Sequence, residues 1–179
     1  MWVLMSGNSK KHLYTVDRAN TLAEGMICQL VRHIDVSPSF LANHVETLFP
    51  EGVSRHGEVH FLREDARALA INPMLELLFE HVRKGSFQTR PSRFQSMFAV
   101  DDLDLALEFR EKYSTYSAPI YRVSAEATFR GDMHLLNAGH SALVTSWLAF
   151  QYWNGEAGTA QPFWEWILKH PVEIGERVA

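Results

Sequence analysis

The sequence predicts an α+β fold in one domain, a split mixed or antiparallel sheet with flanking helices, and three observations carry that prediction. Strand-like segments stand at both ends of the chain and amphipathic helical segments lie between them. Neither a repeat, a low-complexity tract nor a linker interrupts the 179 residues, and 46% apolar composition is enough for one well-filled core. Residues 1–11, ending in SGNSKK, read as a flexible lead, and residues 12–179 as the domain.

The elements follow in order. In HLYTVDR, period-two alternation of strand-forming residues predicts a short strand with Arg18 at its end. After a turn at NTLAEG, the apolar MICQLVRHI predicts a second strand. Ser37 as cap and Pro38 at the first helical position open a helix with Phe40, Leu41, His44, Val45 and Leu48 on one face. GVSRHGEVHFL reads as a glycine-punctuated loop into a short strand, and REDARALAINP as a short helix or turn. Pro73 opens a helix with an apolar stripe of Leu75, Leu78, Phe79 and Val82, which Gly85 ends after Arg83 and Lys84. FQTRPSRFQSMFAV reads as a strand carrying Ser92 and Ser96, and Asp101 or Asp102 caps the helix that follows. APIYRVSAEATF is a strand and RGDMHLLNAG a loop or broken strand. SALVTSWLAFQYWNGE is an apolar helix ended at Asn154-Gly155, and WEWILKHPVEIGERV forms two short alternating segments.

Several function classes drop out. A net charge of −4 gives no overall basic excess for tracking phosphates. One cysteine, Cys28, permits neither a disulfide framework nor a thiolate zinc cluster, and it reads as a small buried hydrophobe. No apolar run nears the roughly 18 residues of a membrane span and MWVLM is too short for a signal segment, so a cytoplasmic protein with no membrane partner is expected. The phosphate-binding loop and the dinucleotide GxGxxG fingerprint are both absent. Among nine histidines only His56 and His60 have ligand-like i, i+4 spacing; Gly57 and Val59 argue against a helix there, so no metal site is predicted. Arg90, Arg93 and the Ser54–Gly57 loop are candidates for a phosphate-facing edge.

Three features remain: Arg18 ending the first strand, Ser92 and Ser96 on a middle strand that feeds a helix, and Glu156 and Glu165 near the last strand. In that order they resemble the arginine, serine, glutamate arrangement of the ADP-ribosyltransferase superfamily, in the branch of cholera and pertussis toxins. The layout LYTVDR, SRFQSMFA, PIYRV, DMHLL, YWNGE and WEWIL also resembles a bacterial family of uncharacterised proteins. The resemblance spans about His12 to Val178 and implies an ADP-ribosyltransferase-like fold using NAD as substrate. It implies that Arg18 binds the dinucleotide and that Ser96, or Ser92, orients the catalytic carboxylate. It further implies that Glu165, with Glu156 the competitor, is that carboxylate. Arg93, read from the basic edge, is a candidate to hold the cofactor or a nucleic-acid acceptor. Phe94, Phe98, Tyr113 and Tyr121 are the aromatic candidates for clamping nicotinamide. SRFQS replaces the family's Ser-Thr-Ser, and no Glu-x-Glu or Gln-x-Glu pair is present. The expected activity is mono-ADP-ribosyl transfer or NAD hydrolysis, in a toxin or defence protein whose acceptor and oligomeric state stay open. The alternatives are an inactive interaction or nucleotide-sensing module of the same fold, and an RNA-modifying enzyme.

Overall fold

A computed structural model describes residues 12–32, 36–63 and 72–179. It is an α+β structure in which strands β1 (Leu13–Val16), β2 (Ile27–Cys28), β3 (Ser96–Ala99), β4 (Ile120–Asp132) and β5 (Trp164–Arg177) form one sheet. The order is β1-β4-β5-β2, with β3 also on β5, and each of these ladders is antiparallel. Tyr14 and Val100 exchange both backbone hydrogen bonds, at 2.8 and 2.9 Å, and Thr15 donates to the Phe98 carbonyl. These links join β1 to the end of β3, so β1, β4, β5 and β3 run in a closed circuit. Leu13, Ala99, Tyr121, Val123, Leu168, Val172 and Ile174 pack together as one core cluster.

The other sheet face is covered by helices α3 (Pro73–Ser86) and α5 (Ala142–Asn154). Leu75 and Phe79 of α3 meet Ala149, Tyr152 and Trp153 of α5 over Phe129 and Ile167. Asn72 caps α3 through Met74, Ser141 caps α5 through Val144, and Gly155 ends α5 in the left-handed region at φ 82°. Helix α4 (Leu103–Tyr113) is capped by Asp102 and packs Ala106, Leu103 and Phe109 against Val100, Ile120 and Phe163. No described helix is long and apolar enough to cross a membrane.

The differences from expectation are local. The second strand shrinks to Ile27–Cys28, with an isolated bridge from Val31 to Val53, and residues 33 and 34 of that segment lie outside the described residues. The lead over residues 1–11 and most of REDARALAINP, residues 64–71, also lie outside them. Helix α1 (Ser39–Leu48) starts after Pro38 with no side-chain cap, so Ser37 is not its cap, and only Val45 of its predicted face is buried. The expected loop and strand at GVSRHGEVHFL is instead a helical turn, α2 (Arg55–Gly57), running into a π-helix over Glu58–Leu62. Ser54 starts that turn by accepting from Gly57 N and donating to the Phe94 carbonyl. The serine-bearing strand begins only at Ser96, because Arg93–Gln95 close a 3-10 turn. Finally, β5 is one strand of 14 residues, not two segments. Pro171 falls between Lys169, the last residue paired with β3, and Val172, which pairs with β2, opposite a register shift in β4. A residue without an N–H is tolerated at such an interruption of the ladder.

Gly57 sets how closely α2 approaches the Arg93–Gln95 turn: a Cβ there would lie 2.3 Å from the Phe94 carbonyl oxygen and 2.9 Å from Val53 Cβ. Gly57→Ala is expected to destabilise the protein by about 1–3 kcal/mol, the range for overpacking a filled site. Urea denaturation checks this, and an unchanged midpoint would mean that the two turns are not tightly coupled.

Candidate functional site: a buried arginine between two glutamates

The Arg93–Gln95 turn points the Arg93 side chain inward beneath α3 and α5, where the residue is 1% exposed. Its Nε and Nη2 donate to Glu76 Oε2 and Oε1 of α3 at 2.7 and 2.9 Å. Nη1 donates to Glu165 Oε1 of β5 and, at 2.5 Å, to the Tyr152 hydroxyl of α5. Tyr152 donates to the same Glu165 oxygen at 2.8 Å. Glu165 therefore has one oxygen held by two donors, while its Oε2 takes no hydrogen bond among the described residues.

Burial alone would raise the Glu76 carboxyl, but Arg93 and His56 override it and hold the group well below the usual carboxylate range. Arg93 is raised, its burial being outweighed by Glu165 and Glu76. Tyr152 is pushed up, by burial first and by the Glu165 charge against the pull of Arg93. It is a neutral donor at ordinary pH.

His56 lies beside this cluster, with Nε2 3.1 Å from Glu76 Oε1 and its ring stacked on His60 at 4.0 Å. Burial and the neighbouring His56 push His60 down to about 4. The sign follows from the unfolded value of 6.5: the unfolded chain binds the proton first, so stability is complete above pH 6.5 and falls as pH drops toward 4. Between pH 7 and pH 5 this amounts to about 2 kcal/mol. Urea midpoints at the two pH values test it, and His60→Gln should flatten the dependence.

Of the residues singled out from sequence, Arg93, Glu165 and Phe98 come together, with Arg18 within the electrostatic reach of Glu165. Arg18 is exposed, its guanidinium 5.8 Å from the Phe109 ring centroid; desolvation lowers its pKa and the attraction of Glu165 acts the other way. Phe98 packs its ring against Arg93 at 4.5 Å and His56 at 4.7 Å. Ser92 and Ser96 flank the Arg93 turn, but their hydroxyls are spent elsewhere: Ser92 donates to Glu80 and Ser96 to the Ser92 carbonyl. Orientation of Glu165 thus falls to Arg93 and Tyr152. Ser96 stands opposite Lys169 on β5, four residues beyond Glu165. Glu156 is apart, exposed after the end of α5 and accepting from the Asn154 amide. Tyr121 belongs to the core cluster with Leu13 and Val123, its hydroxyl on the Leu22 carbonyl. Phe94 is fully buried beside Phe49 and Phe61. Tyr113 packs on Phe109, the ring under Arg18.

The basic edge does not gather. Arg93 is buried, Arg90 lies over the Phe129 ring at 4.6 Å, and Arg55 pairs with Glu58. His56 and His60 do share a helical face, contrary to the reading of Gly57 and Val59 as helix breakers, yet no group of three metal-ligating side chains occurs among the described residues. Cys28 is half-buried on β2, with burial raising its thiol.

Sequence reasoning passed over Glu76, Glu80 and Tyr152. The signal for the first two was present: with Leu75 and Phe79 they form one buried face of α3, so two carboxylates were placed inside an apolar stripe. Buried carboxylates demand cations, and Arg93 and Arg83 meet them.

Fold and site together define an α+β protein whose strand circuit frames a buried arginine–carboxylate centre. The chain belongs to the DUF2441 family, described as a protein family of unknown function, whose model matches residues 35–179. No curated protein matches the chain.

Proposed function

We propose that the protein is an NAD-dependent mono-ADP-ribosyltransferase or NAD glycohydrolase with Glu165 as its catalytic carboxylate. One observation carries the reading: Glu165 is clamped through Oε1 by Arg93 and Tyr152, keeps Oε2 free of hydrogen bonds among the described residues, and lies within the electrostatic reach of Arg18. A carboxylate fixed by one oxygen offers the other in a set direction, as stabilising a developing cation requires. The donor set fits the substrate. An exposed guanidinium suits a pyrophosphate, and the Phe109–Tyr113 pair offers an aromatic surface beside it.

In the reaction the bond from ribose C1′ to the nicotinamide nitrogen breaks and its electron pair leaves with nicotinamide, which departs neutral. Glu165 Oε2 stabilises the resulting oxocarbenium character and accepts a hydrogen bond from a ribose hydroxyl. Water or an acceptor nucleophile then bonds to C1′ and gives up its proton to solvent. The residue two before Glu165 is the buried Phe163, which has no group to receive a proton from an arginine acceptor.

A second reading, a module that keeps the fold without the chemistry, draws on a different observation: Glu165 is only 4% exposed. Incubating the pure protein with NAD and measuring free nicotinamide, with and without cell extract, separates the two. Release supports the enzyme, and none under either condition overturns it.

A further inference from the structure

The hydroxyl that reaches Glu165 does so only because a neighbouring strand lacks a side chain. Gly131 of β4 is the register partner of Glu165 on β5, and a Cβ at Gly131 would fall 2.2 Å from Tyr152 Cε2 and 2.4 Å from Cζ. The Tyr152 ring therefore lies directly on the β4 backbone, a placement that any larger residue at 131 forbids. From there its hydroxyl meets Glu165 Oε1 at 2.8 Å while accepting from Arg93. Tyr152 is completely buried, with Phe79 at 5.4 Å, Phe129 at 5.8 Å and Trp153 at 4.9 Å fixing its ring on the remaining sides. A ring so enclosed has one place to put its oxygen.

This geometry has a chemical consequence. Arg93 alone cannot aim Glu165, because its bidentate bond to Glu76 fixes the guanidinium plane to α3, leaving Nη1 as its one link to β5. The second donor decides which Glu165 oxygen is occupied and which way the other faces.

Resting on the reading of Glu165 as the catalytic carboxylate, we propose that Tyr152, seated on Gly131, is a positioning residue. It holds Glu165 Oε1 so that Oε2 faces the ribose of NAD. Tyr152 does not touch substrate, so its loss is expected in kcat and not in KM.

The test is Tyr152→Phe, which keeps the ring and removes the hydroxyl, assayed by nicotinamide release over a range of NAD concentrations. The expected result is a kcat lower by roughly 10- to 100-fold, the scale for a misaimed catalytic group, with KM for NAD within about twofold. Gly131→Ala keeps the hydroxyl and displaces the ring, and is expected to lower kcat likewise. Both are assayed at a temperature where circular dichroism shows them folded, so a fall in stability is not read as a fall in kcat. A Tyr152→Phe variant with the wild-type kcat overturns the positioning role and leaves the proposed activity standing. A KM that rises in proportion, at unchanged kcat, also overturns it. No release from the wild type itself overturns both.

Discussion

Replacing Glu165 by glutamine is expected to reduce nicotinamide release by at least about 10³-fold, while Glu156→Gln leaves it within about twofold. The first figure follows from removing, in the proposed reaction, the buried carboxylate charge that would oppose the developing cation. The amide is nearly isosteric and can still accept from Arg93 and Tyr152 through its oxygen, so the folded structure is retained. Arg93 also keeps its bidentate partner Glu76. Glu156 is exposed, its carboxylate accepting from the Asn154 amide after the end of α5. The measurement is initial-rate nicotinamide release for the two variants beside wild type. Loss in Glu156→Gln with survival in Glu165→Gln would reverse the assignment.

The largest effect on stability is expected at Arg93. Arg93→Met leaves Glu76 and Glu165 buried without the cation they share, and stripping one partner from a buried ion pair costs about 3–5 kcal/mol. That is a large part of the roughly 5–15 kcal/mol that holds a domain folded. Urea denaturation at pH 7 checks the loss. The double variant Arg93→Met, Glu76→Gln should recover part of it, since one of the two uncompensated charges is gone. The pH dependence has a definite sign. Glu76 is held below its ordinary value of 4.5 in the fold, so its contribution is present above pH 4.5 and lost as pH falls through the lower folded value. His60 acts in the same direction between pH 6.5 and 4. Wild-type stability should therefore decline steadily on acidification, and less steeply in Arg93→Met. An equally steep decline in the variant would show that Arg93 is not what holds Glu76 ionised.

Legibility in the sequence followed the range of the forces involved. Helices α3, α4 and α5 were readable because Pro73, Asp102 and Gly155 act on backbone within a few residues of themselves. The segment Arg55–Leu62 was not, since a glycine and a β-branched valine oppose a helix locally and the deciding contacts come from Phe94, about forty residues on. Strand β5 was read as two segments, and only the exchange of neighbours from β3 to β2 shows how one strand carries Pro171 between them. The order of elements along the chain singled out Arg18 and Glu165, and the structure buries Glu165 against Arg93 and Tyr152. The serines were expected beside Glu165, but its hydrogen bonds come from Arg93 and Tyr152, because a hydroxyl's partner depends on packing. Tyr152 was invisible for the same reason: its hydroxyl reaches Glu165 through a vacancy at Gly131, and that vacancy exists only once β4 and α5 meet.

The strand circuit bears on how the molecule comes together. Leu13 pairs with Val123, Tyr14 with Val100 and Ser96 with Lys169, so each seam joins segments far apart in the chain. The entropy of closing such loops is spent before the contacts repay it, which places the chain among slow folders, on the order of milliseconds to seconds. Arg18 follows β1, Arg93 precedes β3 and Glu165 lies on β5, so these charges are strangers until the last seam shuts. The helices can form early on their own caps; the buried Arg93–Glu165 pair, by contrast, is a property of the finished circuit.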